Sequence, residues 1–354
     1  MVFPPGVLTG DSVTQLYEYA KEKDFAIPAV NVTGTNSINA TLEAAKSVNS
    51  PVIIQFSNAG AHFIAGKHLA NTNQEASIAG AVGAARHVHE VAELYGVPVI
   101  LHTDHANRDL LPWVDGLLEK NHIHFKKRSK SLFSSHMLDL SAETFKKNLA
   151  TCKEYLKKMS QMGITLEMEL GVTGGIEDGF DHSDVEQARM YTRPEEIVST
   201  YEQLSNISHR FTIAASFGNV HGVYNPGNIE LRPIILKKAQ EIIAKKFDTT
   251  KNPATYVFHG GSGCTRDQIR EAISYGTVKM NINTDLQWAF WEGIKNYYQQ
   301  NQAYLQSQTG NPDGADKPNK PYYNPQEWLR EGEEGIINRL TKTFEDLNCI
   351  DRNT

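Results

Sequence analysis

The sequence predicts an α/β fold, a (β/α)8 TIM barrel in a single domain with a C-terminal extension. Three observations predict it. Eight short apolar, β-branched runs alternate with longer amphipathic stretches. Polar and titratable residues gather at the ends of those runs, where a barrel keeps its chemistry. No GxGxxG follows an early strand, which counts against a dinucleotide-binding sheet.

The elements follow in order. Residues 11–23 read as a helix opened by Asp11 as capping residue, with Leu16 and Tyr17 on one side, before the first strand at 27–32. The second strand is 52–57. An Ala-rich helix over 75–95 stops at Gly96, a residue suited to the left-handed turn after a helix. The remaining strands are 97–102, 132–138, 165–170, 211–217, 255–258 and 278–282, with a helix at 267–275 that ends before Gly276. Residues 299–325 form a polar stretch rich in Asn, Gln, Gly and Pro. Its tyrosines and the helix at 328–347 point to an ordered excursion rather than a disordered linker. Residues 1–354 thus read as one barrel.

Composition narrows the function classes. A 354-residue chain with 40% hydrophobic residues is enough for a barrel core. The net charge of −6 and the absence of a basic cluster argue against nucleic acid or an anionic membrane surface as partner. No secretory pattern and no apolar run of membrane-spanning length is read, so a cytoplasmic protein is expected. Cys152, Cys264 and Cys349 form neither a disulfide framework nor a CxxC metal motif.

The strand ends carry the chemistry. In order they present Asn31, then Gln55 and Ser57, then His102, Thr103, Asp104 and His105, then Asp139, then Glu167 and Glu169. Strand six runs into Asn219, Val220, His221 and Gly222. Strand seven gives His259, Gly260, Gly261 and Ser262, and strand eight gives Asn281, Asn283, Thr284 and Asp285. Taken singly, a histidine near a strand end reads as a hydrogen-bonded structural residue. Three imidazoles from three strands, with one position left open, make a catalytic zinc arrangement. His87 and His89 lie two apart on a helix and face different ways, so they read as surface or packing residues. The glycine-rich turns after strands six and seven, and the helix that starts at Thr284, suit a phosphate bound by backbone amides; alternatively the glycines only make tight turns. Residues 171–184 read as a mobile loop that delivers Glu177 or Asp178, or as a solvated acidic loop.

Five motifs in this order, HTDH, LFSSHMLDLS, GNVHGVY, VFHGGSG and KMNINTD, closely resemble class II fructose-bisphosphate aldolases of subgroup IIA, from Gly6 to the C-terminal helix. The resemblance implies reversible cleavage of fructose 1,6-bisphosphate to dihydroxyacetone phosphate and glyceraldehyde 3-phosphate. It implies His105, His221 and His259 as ligands of a catalytic Zn2+, and Glu169 near an alternative metal position. Asp104 matches the acid/base at the C4 hydroxyl, Glu177 the loop carboxylate that handles the enediolate proton, and Asn281 the amide that contacts the intermediate. Gly222, Gly260 and Ser262, with the amides of Asn283 and Thr284, match the phosphate pocket. Asn31, Ser57 and Lys320 match the distal side. Backbone carbonyls of Val220, Gly222 and Gly260 resemble a monovalent-cation site for K+ or Na+, and family members of this kind are homodimers.

The chain departs from the family pattern in three places. Asn283 stands where the subgroup has Asp, and Gln326 where an arginine grips the distal phosphate across the dimer. Ala106 to Asp109 replace a cysteine followed by basic residues. Two rivals follow: an aldolase for another ketose 1-phosphate with a different distal group, and a non-catalytic barrel that binds a sugar phosphate. Lys320, Arg330 and His62 are the candidates to stand in for the missing cation.

Overall fold

The computed structural model describes residues 2–172, 174–177, 180–182, 190–221, 230–261 and 264–353, with only the backbone for 174–177, 180–182 and 221. Eight parallel strands close on one another: β1 (Ile27–Asn31), β2 (Val52–Phe56), β3 (Pro98–Thr103), β4 (Ser135–Leu138), β5 (Thr165–Leu170), β6 (Phe211–Ala215), β7 (Tyr256–Phe258) and β8 (Thr277–Ile282). Closure runs through β8 and β1, where Asn281 pairs with Ala29 and Ile282 with Val30. The short strand Gly6–Val7 adds to the start of β3. The expected barrel is therefore the observed fold.

β-branched and aromatic residues are frequent in most strands, β4 (SHML) and β5 (TLEMEL) excepted, and every strand residue but Asn31 at the end of β1 is buried between barrel interior and helices. Helix α1 (Asp11–Glu22) precedes β1 and buries Val13, Leu16, Tyr17 and Ala20. Its cap is Gly10, with no side-chain bond, so Asp11 serves as the acidic first-turn residue and not as the expected cap. Helices α2 (Thr35–Ser47), α3 (Asn58–Ala65) and α4 (Glu75–Tyr95) follow; α4 ends as read, with Gly96 at φ 74.

Helices α5 (Leu111–Arg128), α6 (Phe145–Ser160), α7 (Pro194–Ser205), α8 (Ile234–Phe247), α9 (Arg266–Ser274) and α10 (Thr284–Gln300) complete the ring. β4 starts three residues later than expected because Asn121 Oδ1 captures the amides of Leu132 and Phe133 at 2.7 and 3.2 Å. β6 stops at Ala215, two residues before the expected end, and just beyond it the Phe217 amide is taken by Asn219 Oδ1 at 2.8 Å instead of by a neighbouring strand.

Beyond α10 the chain makes an antiparallel hairpin, Thr309–Asn311 with Gly314–Pro318, and a short helix α11 (Lys320–Tyr323). Tyr304 stacks on Tyr322 at 4.3 Å between centroids, and the Tyr297 hydroxyl donates to Tyr322 O at 2.7 Å. Helix α12 (Pro325–Asp346) returns over α10 and α2.

Candidate active site

In a strand, residues two apart share a face. The inward face of β3 therefore carries His102 and Asp104, that of β5 Glu167 and Glu169, and that of β8 Lys279 and Asn281. All six are buried. Charged side chains inside a barrel need partners, because desolvation is costly.

Asp104 is met by three amides. Asn31 Nδ2 and Gln55 Nε2 donate to its Oδ2, each at 3.0 Å, and Asn281 Nδ2 donates to Oδ1 at 3.1 Å. Gln55 also donates to Asn31 Oδ1 at 2.6 Å, which locks the orientation of both amides. Next in sequence, His105 adopts φ 33, a left-handed conformation strained for a non-glycine residue. Its Nδ1 lies 2.9 Å from Asp139 Oδ2. Burial opposes the charged form of Asp139, but the bonds from His105 and Ser141 outweigh it and hold the carboxyl below the usual range. Asp139 is then an acceptor, so Nδ1 carries the proton and Nε2 is the atom turned to a ligand.

His259, just beyond β7, differs in having a carboxylate against each ring nitrogen. Its Nε2 lies 2.9 Å from Glu167 Oε1, and its Nδ1 lies 2.8 Å from Glu169 Oε2. Burial lowers the imidazole, yet Glu169 and then Glu167 reverse this and carry it up to about 9. The Glu167 carboxyl is held well below its usual range: burial raises it, and Lys279, His102 and His259 outweigh that. Lys279 Nζ bonds both Glu167 oxygens, at 2.8 and 2.9 Å. The rings of His105 and His259 stand 4.8 Å apart.

Among the described residues, two donor groups suit a metal ion: Asp104, His105 and His259, and, reaching deeper, His102, Asp104 and Glu167. In each, the ligand atoms lie within 4.8 Å of one another. Imidazole nitrogens whose far nitrogens face carboxylates are the donor set of a zinc-type cation. Asn281 Oδ1 is buried with no hydrogen-bond partner among the described residues, a polar atom left for a ligand. The residues present fit a divalent metal.

Other predicted residues are placed less centrally. The Ser57 hydroxyl caps α3 by accepting from Gly60 N at 3.1 Å. Asn283 precedes the first turn of α10, where Thr284 starts the helix, and its Oδ1 accepts from Gln287 at 2.9 Å. Gly260 has φ 66, and a Cβ there would meet Val220 O at 2.4 Å, so only glycine fits beside that carbonyl. Asn219 ties the two turns together: its Oδ1 accepts from Phe217 N at 2.8 Å, and its Nδ2 donates to His259 O at 2.9 Å. His221 and Glu177 are described in backbone only: the strand Gly174–Glu177 pairs with Val220–His221, Gly175 opposite His221. Gly222, Ser262 and Asp178 lie outside the described residues. Lys320 is exposed at the start of α11, away from the Asp104 cluster's hydrogen bonds.

Two of the substitutes suggested for the missing arginine, Arg330 and His62, are occupied within the chain. Arg330 is held by Glu43, Glu333 and Glu334 at 2.6–2.9 Å, and His62 Nε2 lies 3.2 Å from Leu69 O. Gln326 is exposed in the first turn of α12. Sequence reading gave no role to Asp139, Gln55, Glu167 or Lys279. The available signal was the alternation Glu167-x-Glu169 and Lys279-x-Asn281, charge on the inward face of otherwise apolar strands.

A closed parallel barrel with histidines and carboxylates converging beyond its strand ends defines a barrel enzyme with a metal-type centre. The family described as fructose-bisphosphate aldolase class-II matches residues 11–352. The class 2 fructose-bisphosphate aldolase of Escherichia coli K12 is 57% identical over 348 residues, covering 98% of this chain and 97% of that one. A crystal structure of fructose-bisphosphate aldolase from Campylobacter jejuni superposes with a TM-score of 0.91 at 56% identity, covering 99% of this chain and 98% of the other. An aldolase from Escherichia coli K12, 22% identical with a TM-score of 0.66 over 97% of this chain and 98% of its own, shares the fold. The chain belongs to the class II fructose-bisphosphate aldolase family.

Proposed function

We infer that the chain is a fructose-bisphosphate aldolase, an aldehyde-lyase that reversibly cleaves fructose 1,6-bisphosphate to dihydroxyacetone phosphate and glyceraldehyde 3-phosphate. The observation that carries the mechanism is Asp104, fixed by Asn31, Gln55 and Asn281 beside His105. Three donors on one carboxylate present it as an acceptor at a set position, which is what a base at the C4 hydroxyl requires. Removing that proton as the C3–C4 bond breaks releases the aldehyde half.

Zn2+ held by His105, His221 and His259, with Glu169 at an alternative position, supplies Lewis-acid stabilisation of the negative charge that develops on the C2 oxygen. Asp139 and Glu167 orient the first and last of these imidazoles. Asn281 turns its amide to Asp104 and leaves its carbonyl for the substrate. Glu177 moves the proton on the triose carbon, a separate site from Asp104, so that each half-reaction has its own acid/base. The phosphate next to that carbon is bound by Gly222, Gly260, Ser262 and the amides of Asn283 and Thr284. There the α10 dipole favours an anion. Asn31, Ser57 and Lys320 line the distal side. Carbonyls of Val220, Gly222 and Gly260 take K+ or Na+; the close approach of Val220 O to Gly260 supports that reading.

The protein acts as a cytoplasmic homodimer of single-domain subunits, with residues 299–325 part of the barrel domain. Trp288, Trp291 and Tyr298 fall on one face of α10 at 56%, 53% and 45% exposure, an apolar patch suited to a second copy. No helix among the described residues is long and apolar enough to cross a membrane. The test is Asp104→Ala. It should lose cleavage by roughly a hundred- to ten-thousand-fold while keeping its metal and its dihydroxyacetone phosphate proton exchange. Loss of metal and exchange together would remove Asp104 from the base role.

A further inference from the structure

The deepest charge in the barrel is a lysine. Lys279 is 0% exposed, on β8, two residues below Asn281. A two-residue step along a strand is about 6.6 Å, so the inward faces of β3, β5 and β8 stack two polar layers. The layer toward the strand ends holds Asp104, Glu169 and Asn281, and the lower one His102, Glu167 and Lys279. Among the described residues two sets of three donors suit a cation, Asp104, His105 and His259 at the strand ends and His102, Asp104 and Glu167 reaching into the lower layer, with Asp104 common to both. His102 and Glu167 of the second set lie one layer farther from the mouth, where a cation would be out of reach of a substrate entering there.

Lys279 decides between them. Its ammonium covers both oxygens of Glu167, at 2.8 and 2.9 Å, and His259 Nε2 takes Oε1 as well at 2.9 Å. His102 Nε2, by contrast, is buried without a hydrogen-bond partner among the described residues and stands 3.7 Å from Glu167 Oε2. Without the lysine, Glu167, His102 and Asp104 would be a buried anionic cage with donors to spare. We propose that Lys279 is a positioning residue that fills the lower layer with a fixed positive charge, so that the divalent cation seats in the upper layer beside His105 and His259. Glu167 is thereby reserved for orienting His259. The inference rests on the reading that a divalent metal serves this site.

Cobalt is the probe, because it replaces zinc, absorbs visible light according to its ligands, and scatters anomalously. Crystals of the wild type, Lys279→Met and Lys279→Gln are loaded with cobalt, and stoichiometry is measured by equilibrium dialysis. The wild type should show one cobalt per chain, at His105 and His259. Both variants should show cobalt at Glu167 and His102, with stoichiometry rising towards two or the upper peak weakening. Their visible spectra should change, and added cobalt should raise their Tm more than that of the wild type. Lys279→Gln keeps one donor to Glu167 and guards against a folding failure of the methionine variant. A variant that folds only with cobalt present is judged by the same peak. Lys279→Met/Glu167→Gln, which deletes the lower carboxylate, should return the peak to the upper position. A single upper peak with wild-type stoichiometry and spectrum in both lysine variants overturns the proposal. A wild type that binds no cobalt at His105 and His259 instead overturns the metal reading beneath it.

Discussion

Gly260→Ala links backbone conformation to the metal centre, and its effect can be worked from distances. Gly260 has φ 66, where an alanine costs about 1–2 kcal/mol. The added Cβ would stand 2.4 Å from Val220 O and 2.5 Å from its carbonyl carbon, roughly 0.5–1.0 Å short of the 3.0–3.4 Å range of tight contacts. Those neighbours are backbone atoms and cannot rotate away. Either the 259–261 turn or the strand Val220–His221 must move, and each carries a proposed metal ligand. Overpacking adds about 1–3 kcal/mol, for a total near 2–5 kcal/mol. A ligand displaced by about an ångström costs on the order of a hundredfold in activity. Denaturant unfolding of the metal-free protein, zinc titration by chelator competition, and kcat/KM should all shift together. Wild-type stability and zinc affinity in Gly260→Ala would refute the claim that these two turns are locked together.

Three further outcomes follow from the same geometry. Glu177→Ala should slow proton exchange on dihydroxyacetone phosphate by roughly a hundred- to ten-thousand-fold; exchange at the normal rate, read by NMR, removes Glu177 from that role. Burial lowers the His136 imidazole to about 3, so the unfolded chain takes up a proton that the folded chain refuses. Stability from this group is full above pH ~6.5 and is lost at about 1.4 kcal/mol per pH unit as pH falls towards 3, so unfolding curves of His136→Asn should be flatter over that window. At Gln326, where the family resemblance implies an arginine on the distal phosphate, a neutral amide stands, and Arg330 is bound to three glutamates of its own chain. Cleavage should therefore depend weakly on the C6 phosphate, and Gln326→Arg should improve kcat/KM for the bisphosphate over fructose 1-phosphate by about ten- to a hundredfold; a neutral or harmful substitution means another residue holds that phosphate.

The eight strands were legible because most are apolar, β-branched runs of the usual length, and the residues at their ends stood out as polar. Boundaries were less legible where a distant side chain takes the backbone, as Asn121 does at Leu132 and Phe133. The start of α1 was read correctly at residue 11 but its cap was not: Asp11 looks like a cap, and the cap position falls one residue earlier at Gly10. In the site, Asp104 and the three histidines were visible as strand-end residues. Their supports were not. Glu167 and Lys279 are partners across 112 positions, and His105 meets Asp139 across 34, separations at which a lone inward charge reveals nothing about what it faces. Only closure of the barrel brings β5 and β8 within bonding distance across its interior.

The central claim is that this barrel cleaves a ketose bisphosphate with a metal in place of a lysine Schiff base. The direct measurement is fructose 1,6-bisphosphate cleavage by the purified protein before chelation, after it, and after zinc is restored, with borohydride added to a parallel sample under turnover. Cleavage should vanish on chelation, return with about one zinc per subunit, and resist borohydride. Full activity in the metal-free protein, or substrate trapped on a lysine by borohydride, would contradict the account.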